Sequence, residues 1–348
     1  MLSKTAGTVR YCYNWGLARW NEMYAKGEHC DQYLLSRMWT KERPEWTKEI
    51  YRQSQTDALL SVGRAFAKFF KKITRHPKFH KKGHKDSFYV DNGHGFVRNQ
   101  RFHIPNIGDV RMSEQVRFEG RILGFWVTRH ADQWYVSVIV ELANPPTEID
   151  NGSCVGVDVG SKHWAVSSDG EVLDRPKQLG RIQKHLKHLQ KNLCRKKKKS
   201  SNRSKASIRF ARVHRRLHRI KMDAIHKFTS RLAKNHSIVC CEDLYVKGMK
   251  QSVKAIRKAV RNSGMFEIRA ALAYKASHYV EIDRWFPSSK RCSQCGHVKL
   301  SLSLNDRTYK CLECGSTLGR DLNAAINIRD EGFRIFTEGH SESACGGC

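Results

Sequence analysis

The sequence predicts an α/β protein in which a core of strands and helices follows a helical lobe and a small β-barrel and is interrupted near its end by a zinc ribbon. Three observations carry that expectation. The apolar period changes along the chain, from helical steps to alternation and then to short apolar runs divided by helical stretches. Two Cys-x2-Cys pairs, fifteen residues apart, stand close to the C-terminus. At 348 residues with 40% hydrophobic content, the chain is long enough for two or three domains with cores of their own.

The helical lobe is expected over residues 1–75. Leu59, Val62, Phe66, Phe69, Phe70 and Ile73 recur at three- and four-residue steps there, which reads as one buried helix face. From His76 the period is two, in segments 87–90, 121–129 and 134–142 separated by Gly, Asn and Asp turns, so a small antiparallel barrel or sheet is expected over 76–150. The polar stretch 143–153, with Pro145 and Pro146, marks a domain boundary.

The core is expected over 151–287 and 318–348. It opens with VGVDVG, HWAVSS, an Asp169-Gly170 turn and EVL, a buried strand followed by a hairpin, and this succession resembles the start of an RNase H-like fold. Over 181–221, Ile182, Leu186, Leu189 and Leu193 in one arm and Ala206, Phe210, Val213, Leu217 and Ile220 in the other predict an antiparallel helical hairpin. The strand SIVCCEDL, helical stretches over 251–277, the strand YVEIDRWF, the ribbon over 288–317 and a final helix over 322–331 complete the reading.

Charge selects the partner. The chain has 64 Lys+Arg against 33 Asp+Glu, a net charge of +31, and such a field is usually neutralised by a polyanion. No run of about 18 apolar residues is available to span a bilayer, so nucleic acid is favoured over a membrane. Polar residues interrupt any signal-peptide core in the first nineteen residues, which predicts an intracellular protein. The hairpin tip, Arg195, Lys196, Lys197, Lys198 and Lys199, is the expected phosphate contact, because no Asp or Glu occurs from Arg181 to Lys221 to balance it.

Two constellations carry chemistry. Cys292, Cys295, Cys311 and Cys314 have the spacing of two knuckles around one tetrahedral Zn²⁺, each pair followed by a glycine for the tight turn, and a site closed by four protein ligands is structural. Cys345 and Cys348 read as unligated tail, and Cys12, Cys30, Cys154, Cys194, Cys240 and Cys241 as scattered small core residues. Asp158 in GVDVG, Glu242 in CCEDL and Asp321 in GRDLNAA follow the order strand-Asp, strand-Glu, helix-Asp. Carboxylates in that order suit two Mg²⁺ ions about 3.5–4 Å apart, one activating water and the other stabilising a leaving oxygen in phosphodiester hydrolysis. Asp243 competes with Glu242, but strand neighbours point to opposite faces, so only one serves. Arg320 is expected to meet either the scissile phosphate or a neighbouring carboxylate, and Asn323 either to ligate metal or, preferably, to cap the last helix.

The segments VGVDVGSKHWAVSSDG, CEDLYVKGM, DRWFPSSKRCSQCG, YKCLECG and GRDLNAAINI resemble the TnpB (OrfB) proteins of bacterial insertion sequences, relatives of type V CRISPR nucleases, from about residue 8 onward. The resemblance implies a RuvC-type core, a wedge barrel over 76–150 and a recognition lobe over 1–75. It also implies an RNA-guided DNA endonuclease, whose guide RNA derives from the transposon end and whose double-stranded DNA target is cut at one site made of Asp158, Glu242 and Asp321. Three positions depart from the family: the chain begins almost directly in a helix, the junction before Asp283 is short, and Gly319 stands where an acidic residue is expected. A nuclease-inactive RNA-guided repressor and an RNase H-fold resolvase or integrase acting without RNA share the same basic surface or core.

Overall fold

The computed structural model describes residues 1–83, 86–117, 119–142, 152–244, 263–303 and 306–345, with side chains to residue 338. The 143–151 part of the expected boundary, residues 251–262 of the expected helical stretch, and the Cys345/Cys348 side chains lie outside them. The chain divides into two compact units, Met1–Pro145 and Pro146–Cys348.

In the first unit, helices α1 (Leu2–Ala25), α2 (Gln32–Glu42) and α3 (Arg52–Phe70) enclose Cys12, Leu17, Trp20, Leu35, Trp39, Leu59, Val62 and Phe66. Asp31 starts α2 by accepting hydrogen bonds from the amides of Tyr33 and Leu34 at 2.8 and 2.7 Å. The predicted apolar face of α3 is buried only as far as Phe66, with Phe69 partly covered. Phe70 and Ile73 are exposed, because the helix stops at Phe70 and Lys72 turns the chain away at a φ of 55°.

Strands β1 (Ser87–Asp91), β5 (Arg121–His130) and β6 (Gln133–Glu141) form one antiparallel sheet, and β2 (Phe96–Arg98), β3 (Arg101–Ile104) and β4 (Gly108–Arg111) a second. Both contribute to a core of Phe88, Val90, Phe102, Ile104, Phe125 and Val127. The expected barrel is not closed: among the described residues no ladder joins the two sheets, and β2 to β4, at three or four residues each, supply too few backbone partners to close one. That second sheet escaped the sequence reading, since its β2–β3 turn is Asn99-Gln100, left-handed at both residues, rather than the readily recognised Asn-Gly.

The second unit is built on a five-stranded sheet of order β11-β10-β7-β8-β9. Strands β7 (Cys154–Asp158), β8 (Ala165–Ser167) and β9 (Val172–Leu173) form an antiparallel meander, while β10 (Ile238–Glu242) runs parallel to β7 and β11 (His278–Ile282) parallel to β10. Val155, Val157, Val239 and Cys241 face one side and pack with Ile225, Phe228 and Leu232 of α5 (Ser201–Asn235) and Ile268 and Leu272 of α6 (Met265–Lys275). The other side, Cys154, Ile238, Cys240 and Ile282, is covered by Ile328 and Ile335 of α7 (Arg320–Cys345), which runs well beyond the expected end at residue 331. Burial on both faces is why these strands read as continuous apolar runs.

The hairpin is α4 (Gln178–Arg195) against α5. Its turn is held by Ser200, which accepts from the Arg203 amide, and by Arg203, whose guanidinium donates to the carbonyls of Leu193 and Lys196 at 2.8 and 3.1 Å. The ribbon contains β12 (Thr308–Lys310) and β13 (Thr317–Gly319), paired antiparallel.

Candidate active site

Asp158 and Glu242 are the last residues of β7 and β10. The register pairs Cys241 with Val157, so one residue further on the two carboxylates stand level at the carboxyl ends of adjacent parallel strands. In open α/β sheets ligands bind outside those ends.

Two glycines let the helix that carries the third carboxylate lie close on this sheet. A Cβ on Gly156 would lie 2.1 Å from the Ala325 carbonyl oxygen and 2.4 Å from the Arg329 nitrogen, and one on Gly332 would lie 2.3 Å from the Cys240 sulfur. Helix α7 therefore rests directly on the sheet face that carries Gly156 and Asp158, with Asp321 in its first turn. Burial pushes the Asp158 carboxyl up to about 8, helped by the charges of Glu242 and Asp321 and opposed by Arg320. Glu242 is raised too, by burial, although the Ser288 hydroxyl donates to its Oε1 and Arg269 adds a favourable charge. Asp158 and Glu242 thus both resist ionisation, and Asp321 adds its charge to the field at Asp158.

Asp243 is differently employed. Despite the cost of its desolvation, Arg284 and Arg269 hold its carboxyl below the usual range through hydrogen bonds, the one from Arg269 at 3.1 Å. Arg269 also donates to the Leu244 carbonyl and to Glu281, which pins the end of β10. The Arg320 guanidinium donates to the carbonyls of Ser303 at 3.2 Å and Asp306 at 3.5 Å, while its charge acts on Asp158.

Asn323 neither caps the last helix nor faces the carboxylates. It is fully buried inside α7, where its side chain accepts from the Ser293 amide at 3.0 Å and donates to the Arg291 carbonyl at 2.7 Å. One turn on, Asn327 donates to the carbonyls of Ser288 and Arg291 at 2.8 and 2.7 Å. The pair thus clips to α7 the loop that delivers both Ser288 and the first zinc knuckle. Sequence reasoning missed Ser288, Asn327 and Arg269, although two asparagines four apart in an apolar helix are a signal, being poor helix formers without a partner.

The Sγ atoms of Cys292, Cys295, Cys311 and Cys314 all lie within 4.8 Å of one another, the one such metal-ligand group found among the described residues. Separations of 3.7 Å (Cys292 to Cys314) and 3.5 Å (Cys295 to Cys311) approach the edge of about 3.8 Å that a tetrahedron with Zn–S bonds of about 2.3 Å requires. Gly296 and Gly315 turn at φ of 78° and 70° behind the knuckles. The four thiols can hold a zinc ion, with Cys292 and Cys311 buried and the other two exposed.

Arg195 and Lys196 to Lys199 are all exposed at the α4–α5 turn, apart from any carboxylate of the hairpin. Among the described residues no helix is long and apolar enough to cross a membrane.

Fold and sites together define a strongly basic α/β protein with a four-cysteine cluster able to hold zinc and two buried carboxylates at the ends of adjacent parallel strands. Family profiles match along it: "Probable transposase" (OrfB_IS605) over residues 137–253, "Cas12f1-like, TNB domain" over 266–328, and the "Helix-turn-helix domain" of OrfB_IS605 over 1–29. A Streptomyces pristinaespiralis protein named "Putative RNA-guided DNA endonuclease" is 32% identical over 99% of this chain and 87% of its own length. The Escherichia coli K12 protein "Putative RNA-guided DNA endonuclease InsQ" is 29% identical over 99% and 90%. The chain belongs to the OrfB (TnpB) family of IS605-type elements. Its fold is similar to that of Cas12f1 in a solved complex with sgRNA and target DNA, with a TM-score of 0.61 at 15% identity over 94% of this chain and 81% of that one.

Proposed function

We propose that the protein is an RNA-guided DNA endonuclease that hydrolyses target DNA with Mg²⁺ at one site made of Asp158, Glu242 and Asp321. The observation that carries the reading is the level placement of Asp158 and Glu242 at the carboxyl ends of β7 and β10, with Asp321 in the first turn of the helix packed on that sheet face, where burial pushes the Asp158 carboxyl up to about 8. The strand order, an antiparallel meander continued by two parallel strands, supports an RNase H-like, RuvC-type core. Bound there, divalent ions would activate a water and stabilise the departing oxygen. The protein's own part is to hold the carboxylates: α7 presses Asp321 toward Asp158 through Gly156, and Ser288 orients Glu242.

In this reading residues 1–75 are a recognition lobe, 76–150 a wedge domain, 151–287 and 318–348 the nuclease core, and 288–317 a ribbon whose zinc is structural. The exposed cations Arg195 and Lys196 to Lys199, together with Arg320, contact phosphates. A guide RNA from the transposon end pairs with double-stranded target DNA, in the cytoplasm at the nucleoid. The names of the relatives, the net charge of +31 and the fold shared with Cas12f1 support these assignments.

The test is cleavage of matched DNA by protein loaded with the RNA that copurifies with it. Mg²⁺-dependent products are expected from the wild type and none from Asp158→Ala, Glu242→Ala or Asp321→Ala. Cutting that survives each single substitution overturns the assignment, and copurification without any discrete RNA overturns the guide.

A further inference from the structure

Trp285 is 84% exposed, more than any other large aromatic among the described residues. Exposure of an indole on a loose loop would say little, but this loop is pinned on both sides of it. Arg284 binds Asp243, the residue after Glu242, and Ser288 binds Glu242 itself. Between them, Phe286 packs beneath α7 with Ile238, Cys240, Ile282 and Ile328, and the Arg291 guanidinium lies 5.9 Å from its ring centre. The Trp285 amide donates to Asp283 Oδ1 at 2.6 Å and the Phe286 amide to the Asp283 carbonyl at 3.1 Å, which closes a tight turn. The indole therefore projects from a fixed turn whose two ends are both anchored to the tip of β10.

We propose that Trp285 is a stacking platform for an unpaired nucleobase of the strand entering the carboxylate site, a proposal that rests on the nuclease reading above. A flat apolar face next in the chain to Arg284, on a protein of net charge +31, suits a ligand that is anionic along its backbone and aromatic on its faces. The base must be unpaired, since within a duplex both of its faces are already covered by neighbours. Stacking of this kind accepts any base, so Trp285 positions the strand and leaves sequence choice to other contacts.

The experiment uses the full-length, zinc-loaded protein without added Mg²⁺ and oligo(dT) as the probe, followed by indole emission and by anisotropy of a labelled oligonucleotide. Oligo(dT) is expected to quench wild-type emission, and the part of that quench due to Trp285 is missing in Trp285→Phe. Trp285→Ala is expected to bind about tenfold more weakly, Trp285→Phe to recover most of the loss, and the ratio to persist as salt is raised, because stacking releases no counterions. Equal quenching in wild type and Trp285→Phe, binding by Trp285→Ala within twofold of wild type, or a Phe variant as weak as the Ala variant overturns the proposal. Asp158→Ala separates this result from the nuclease reading, since it is expected to keep the quench while losing cleavage. Cleavage retained in Asp158→Ala sinks the nuclease and leaves stacking standing, whereas an inactive Asp158→Ala beside normal binding by Trp285→Ala does the reverse.

Discussion

Replacing Asp158 by Asn tests the carboxylate cluster without any nucleic acid. The carboxyl is displaced from 3.8 to about 8 in the fold. At about 1.4 kcal/mol per pH unit, ionising it without a cation costs at most on the order of 6 kcal/mol. The folded-state value lies above the unfolded one, so below pH 3.8 both states are protonated and no penalty exists. The penalty grows through the window from 3.8 to about 8 and is complete above it. Asn keeps the shape and removes the titration. Zinc-loaded Asp158→Asn without Mg²⁺ should therefore melt higher than wild type at pH 9, by up to on the order of 10 °C, and the gap should shrink as the pH falls toward 5. Mg²⁺ at about one hundred times its dissociation constant should stabilise the wild type by about 2.7 kcal/mol and the variant by much less. Calorimetry at pH 5, 7 and 9, with and without Mg²⁺, reads both effects. An Asn variant that melts at or below wild type at pH 9 without metal, or equal stabilisation of both proteins by Mg²⁺, would refute the view that this cluster is a cation site held against its own charge.

Three further outcomes follow from the geometry. Gly156→Ala should destabilise the protein by about 2–3 kcal/mol in urea titration and reduce cleavage more than that loss of folded protein explains, because the new methyl meets the α7 backbone, which cannot rotate aside, and displaces Asp321. Elemental analysis should find one zinc per chain; Cys292→Ser should lower it and speed amide exchange around Ser293 and in the first turn of α7, which share Asn323, whereas unchanged exchange would uncouple ribbon from helix. Substituting Ser for all of Lys196 to Lys199 should flatten the dependence of log affinity on log salt by about 3, at roughly 0.7–0.9 per phosphate contact, and an unchanged slope would return the run to solvent.

Local chemistry was legible in the sequence wherever one short segment sufficed to express it. The 4-3 spacing that predicted two arms around residues 181–221 corresponds to α4 and α5, and the two Cys-x2-Cys knuckles do bring four sulfurs together. Asp158 and Glu242 fall at strand ends, where each short apolar run stops. The two-residue period set Asp243 apart from Glu242, but β10 ends at Glu242, and only the structure supplied the partners of Asp243, Arg269 from α6 and Arg284 from beyond β11.

What the tertiary structure alone decided concerns groups that meet across long separations. The six described strands of the first unit share a core without closing into a barrel, because closure depends on whether edge strands find one another and not on the alternation within each. Ser288 looks like any loop serine until β11 brings it to Glu242, and Asn323 looks like a cap until α7 begins three residues before it and buries it against the ribbon loop. Gly156 reads as one small residue in an apolar strand. Only the crossing of α7 shows that the missing Cβ lets the helix that carries Asp321 lie directly on the strand that carries Asp158, 163 positions away, since period and composition describe a residue's own segment, whereas a close backbone approach belongs equally to the segment on the other side.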